Sequence, residues 1–96
     1  MNLPDFIESK REEIREIAYR HGARNVRLFG SMVRGQGREN SDVDLLVDVG
    51  PRTTAWFPAG MIVDLEDLLG RGVDVVAEAA LHPMLRENVL REAVSL

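Results

Sequence analysis

The chain contains no cysteine, which excludes a disulfide framework, a thiolate zinc site and a cysteine nucleophile, and fits a reducing compartment. It also lacks an excess of positive charge. Twelve Lys and Arg stand against sixteen Asp and Glu, a net charge of -4, so the basic footprint that grips polymeric nucleic acid is missing and no direct binding of that kind is expected. No apolar run approaches the roughly 18 residues of a membrane span. The stretch from Met1 to Glu16 is charged where a signal peptide would be apolar, which predicts a cytoplasmic protein that does not engage a membrane. Length is short as well: 96 residues suit one domain spanning 1–96, with no room for a separate substrate domain.

What is present reads as alternating helices and strands. Phe6, Ile7, Ile14, Ile17 and Ala18 recur at helical spacing and predict one helix from Pro4 to about His21. Its many charges form a water-facing surface, Gly22 suits its end, and His21 there reads as a dipole-compatible cap rather than a ligand. Val26 to Phe29 is a short strand that turns at Gly30-Ser31, with Met32 to Arg34 opening a brief helix and Gly35 to Ser41 a loop. Val43 to Val49 is apolar on both faces apart from its aspartates, the pattern of a central strand covered on both sides. Arg52 to Ala59 is poorly patterned and reads as a loop. Met61, Ile62, Leu65, Leu68 and Leu69 then mark a helix from Gly60 that stops at Gly70 and Gly72. A third strand, Val73 to Ala77, carries Asp74, and His82-Pro83 opens a last helix with Leu85, Val89 and Ala93 on one face.

The informative stretch is Gly30-Ser31, ten intervening residues, then Asp42-Val43-Asp44. Side chains alternate along a strand, so Asp42 and Asp44 share a face with Cα atoms roughly 6.6 Å apart. Two such carboxylates can share a hard cation such as Mg²⁺; alone, they more often mark an exposed strand start. A glycine directly after a strand lets backbone N–H groups approach a phosphate, and a serine opening the next turn adds a hydroxyl donor. Each element is weak by itself, and their combination and spacing carry the signal.

With that spacing the chain resembles the DNA polymerase β-type nucleotidyltransferase superfamily in its small stand-alone form, the minimal nucleotidyltransferases. Gly35, Ser41 and the run Leu69-Gly70-Arg71-Gly72-Val73-Asp74-Val75-Val76 match the same pattern. The resemblance implies an α+β fold, a small mixed β-sheet packed with helices. It implies that Gly30 and Ser31 hold the triphosphate of ATP, and that Asp42, Asp44 and Asp74 are catalytic and bind Mg²⁺, two ions. It further implies that AMP passes to a hydroxyl, a tyrosine, of a HEPN-domain toxin, which the chain silences as an antitoxin within a hetero-oligomer.

Physics agrees with those roles, since two ions can clamp the attacking and leaving oxygens of an in-line displacement while a third carboxylate takes the proton. Arg34 and Arg38 are either phosphate contacts or solvated surface, and Asp48, further along the strand, reads as structural. Trp56 and Phe57 are either interface anchors or residues capping the sheet. Two rivals stand beside the transferase: a non-catalytic module that blocks its partner by binding, and an enzyme acting on a small molecule such as an antibiotic. Retention of all three acids favours catalysis, and the missing substrate domain disfavours the second rival.

Overall fold

A computed structural model describes residues 3–37 and 41–96. In chain order it contains α1 (Asp5–Glu8), α2 (Arg11–Arg20), β1 (Ala23–Phe29), a 3-10 turn (Gly30–Met32), β2 (Val43–Val49), α3 (Ala59–Leu69), β3 (Val73–Ala77), a second 3-10 turn (Glu78–Ala80), α4 (Pro83–Glu92) and β4 (Val94–Ser95). The sheet order is β3-β2-β1-β4. β2 and β3 run parallel because α3 supplies the crossover between them, whereas β1 pairs antiparallel with both β2 and β4. This is the mixed-sheet α+β fold that the resemblance implied.

One face of the sheet holds the core. Leu28, Val43, Leu45, Val47, Val73 and Val75 meet Ile14, Ile17 and Ala18 of α2 and Met61 and Leu65 of α3. The opposite face is covered differently. Leu46 is fully buried there, yet its neighbour across the strand pair is Arg27, and the second 3-10 turn lies against β2. Arg27 is itself buried; its guanidinium donates to Asp48 at 2.9 Å and to Glu78, and its Nε to the Asn25 carbonyl at 2.9 Å. Each of the three guanidinium nitrogens therefore donates, as a buried guanidinium requires.

Four boundaries differ from the expectation. The predicted helix Pro4 to His21 is two helices broken at Ser9-Lys10. The Ser9 hydroxyl donates to the Phe6 carbonyl at 3.2 Å, a local bond that competes with helix continuation, and Lys10 leaves helical geometry at φ -110. β1 starts at Ala23 rather than Val26, because a register shift between Arg24 and Arg27 interrupts the alternation from which a strand is read. The brief helical turn is Gly30–Met32 instead of Met32 to Arg34. The last helix stops at Glu92, Ala93 turns extended, and two residues add a strand to β1. α4 has no buried residue, and Leu85, expected on its apolar face, is exposed.

The loop before α3 is held by His21. Its Nδ1 lies 2.7 Å from the Thr54 hydroxyl and its Nε2 2.7 Å from the Asp64 carboxylate, so this residue caps α2 and also braces α3. Trp56 and Phe57 part company: Phe57 packs against the core, whereas Trp56 is 89% exposed. Among the described residues no helix is long and apolar enough to cross a membrane.

Candidate active site

β1 delivers the chain into Gly30 at φ +80, a left-handed conformation that costs glycine little. The last residue of the strand, Phe29, pairs with Asp44 on β2, and the Asp44 carboxylate lies against the Gly30 Cα, where a Cβ would collide with it. On the other side of β2, Asp44 is in register with Asp74 on parallel β3. Asp42 sits one step before β2, its carboxylate against the Cα of Gly72, where again a Cβ would collide. The neighbouring backbone bond from the Val43 N–H to the Gly72 carbonyl, 2.9 Å, fixes that approach.

Gly30, Asp42, Asp44 and Asp74 are thus brought to one corner, and Ser31, half-buried in the 3-10 turn, stands beside them. Asp42 and Asp74 are exposed and Asp44 is partly buried. Burial, followed by the charges of Asp74 and Asp42, holds the Asp44 carboxyl above its ordinary value; the Arg34 guanidinium opposes the shift and Glu92 adds to it. Negative charge therefore accumulates at Asp44 faster than the protein compensates it.

That surplus, presented by oxygen donors alone, suits a hard divalent cation. Asp42, Asp44 and Asp74 are the residues that could hold one. They interact electrostatically without forming a ready-made cage: among the described residues, no group of three or more His, Cys, Asp and Glu is gathered to hold a metal ion.

Sequence reasoning missed one member of the corner. The Glu92 carboxylate accepts the Gly30 N–H at 3.2 Å and receives the Arg34 guanidinium at 2.9 and 3.1 Å. Nothing local in the sequence marks Glu92, one of several charges on an exposed helix; only the pairing of β4 with β1 brings it to Gly30. Arg34 is accordingly a constituent of the site. Arg38 lies outside the described residues. Asp48 ion-pairs with Arg27 and accepts from Asn25 at 3.1 Å, away from the other acids, as its structural reading expected.

Residues 7–96 match the family described as nucleotidyltransferase domain. "Protein adenylyltransferase MntA" of Thermococcus cleftensis is 37% identical over 92 residues, covering 96% of this chain and 90% of that protein. A solved structure described as a "putative minimal nucleotidyltransferase" superposes with a TM-score of 0.82 at 48% identity, over 94% of this chain and 92% of that one. A crystal structure of a toxin-antitoxin with AMP-PNP shares the fold, with a TM-score of 0.73 at 22% identity, over 92% of this chain and 70% of that one. A family match over nearly the whole length, joined by a relative of the same size, leads to one conclusion: the chain belongs to the nucleotidyltransferase domain family.

Proposed function

We propose that this chain is a Mg²⁺-dependent, cytoplasmic protein adenylyltransferase that moves AMP from ATP to a tyrosine hydroxyl of a HEPN-domain partner toxin, silencing it as an antitoxin. The observation that carries the reading is the placement of Asp44, seated between Gly30 on one neighbouring strand end and Asp74 on the other. The relative named protein adenylyltransferase and the AMP-PNP toxin-antitoxin structure support an adenine nucleotide as donor and a toxin as partner.

The Gly30-Ser31 turn takes the phosphates, its glycine allowing close backbone approach and its serine offering a hydroxyl. Asp42, Asp44 and Asp74 would hold Mg²⁺, which would supply charge neutralisation to the triphosphate. Asp74, exposed on the sheet edge, accepts the proton of the incoming hydroxyl. The acceptor oxygen bonds to the α-phosphorus as the bond to the β-phosphate oxygen breaks, and pyrophosphate leaves. No second-substrate domain is needed, because the partner brings the acceptor.

Incubation with the partner toxin, ATP and Mg²⁺ should add AMP to the toxin, seen by intact-mass spectrometry. Asp42→Asn should abolish the mass gain and the neutralisation together. Neutralisation that survives this substitution without any added mass would make the chain a blocking module and overturn the transferase.

A further inference from the structure

Glu92 occupies a place that the sheet assigns to it. Antiparallel pairing sets Ser95 opposite Arg27 and Val94 opposite Leu28, which brings the last residue of α4, Glu92, to Gly30 at the end of β1. The side chain uses that position fully. One oxygen accepts the Gly30 N–H at 3.2 Å and the Arg34 Nη1 at 3.1 Å, and the other accepts the same guanidinium nitrogen at 2.9 Å. A backbone N–H at a left-handed glycine joined by an arginine is a donor set for an anion, and a carboxylate now fills it.

From this geometry we infer that Glu92 is a latch, an internal carboxylate that stands where a phosphate group of the substrate must go and that the phosphate displaces. The inference rests on the proposed role of Gly30 in holding the triphosphate. Three features support displacement over coexistence. The same N–H cannot serve both anions well. The corner already gathers Asp42, Asp44 and Asp74 beside Glu92, with Arg34 opposing them, so a polyphosphate beside an undisplaced Glu92 meets strong repulsion. And the latch is a side chain: α4 buries no residue, so turning the Glu92 carboxylate outward sacrifices little packing while Val94 and Leu96 keep their places in the core. Arg34 then exchanges one anion for another without moving far from Gly30.

A site open only part of the time binds its ligand with an affinity reduced by the open fraction; a latch closed nine-tenths of the time costs about tenfold. Inorganic tripolyphosphate, which carries the anion and no base, is the probe. Calorimetric titration of the full chain should show Glu92→Gln and Glu92→Ala binding it at least about fivefold more tightly than wild type. Equal or weaker binding by both folded variants, or no binding by any form, overturns the latch; weaker binding would make Glu92 a positioning residue for Arg34.

Should neither variant fold, the wild type decides the matter by NMR. Tripolyphosphate should shift the Gly30 amide and the Glu92 carboxyl carbon with one common affinity, and a Glu92 carboxyl that stays put overturns the latch. Failure of the proposed function is read separately. Tighter tripolyphosphate binding with no AMP added to the partner toxin would remove the transferase and keep the latch, whereas AMP transfer with unaltered tripolyphosphate affinity would do the reverse.

Discussion

The Asp44 carboxylate rests directly against the Cα of Gly30, so the turn at the end of β1 and the acid on β2 are one packed unit. A methyl group cannot enter that contact, and the glycine's φ of +80 disfavours any L side chain. Gly30→Ala should therefore cost about 1–3 kcal/mol of stability, from strain plus displacement of Asp44. Urea denaturation checks the first effect. Titration with ATP should show lost binding even under conditions where the variant is fully folded.

Asp44 also makes a pH-dependent prediction. Its folded carboxyl is held above the ordinary value, first by burial and then by Asp74 and Asp42, so the folded state binds the proton more tightly than the unfolded state does. Its contribution is most favourable below the unfolded carboxylate value of about 3.9 and is lost as pH rises through the higher folded value. Asp44→Asn should thus raise the melting temperature of the metal-free chain by a few degrees at neutral pH. Thermal melts across the acid range should show that gain shrinking toward pH 4.

Asp74 is exposed and makes a different prediction from its strand neighbour. Asp74→Asn should change stability by no more than about 0.5 kcal/mol, as for surface sites generally. If Asp74 receives the hydroxyl proton, AMP transfer should fall by at least about a hundredfold, the usual scale of a lost general base. Circular dichroism and intact-mass assays of the partner read the two effects separately.

Buried Arg27 holds Glu78 below its ordinary carboxyl value, chiefly through their hydrogen bond. Arg27→Met keeps the apolar stem and removes the pairing with Asp48 and Glu78. The variant should melt several degrees lower at neutral pH, and the gap should narrow in acid. The sign follows from linkage: a depressed carboxyl contributes stability above its unfolded value and loses it as pH falls through its folded value.

Trp56, at 89% exposure, supports no core. Trp56→Ala should leave the denaturation midpoint unchanged. If this ring anchors the partner toxin, affinity should fall by tenfold or more in a calorimetric titration with that toxin, because a buried interface tryptophan commonly carries more than 1.4 kcal/mol.

The helical stripe of Met61 and Leu65, the apolar run of β2 and the punctuation at Gly30 and Gly70 were legible in the sequence because each is a local pattern with its own period or backbone demand. So were the acids at 42, 44 and 74, since an aspartate in or just before an apolar strand is conspicuous by composition. The break at Ser9-Lys10 was hidden, because the apolar spacing continues across it and only one hydroxyl contact marks the kink.

The sequence by itself therefore determined the alternation of elements, the glycine-serine turn and the identity of the acids. Tertiary structure alone decided how they meet: Asp44 opposite Asp74 through strand register, Asp42 against Gly72, and Glu92 on Gly30. The two-residue β4 is too short to have a period of its own, so its pairing with β1, which carries Glu92 62 residues along the chain to Gly30, follows from long-range hydrogen bonding that local patterns do not encode.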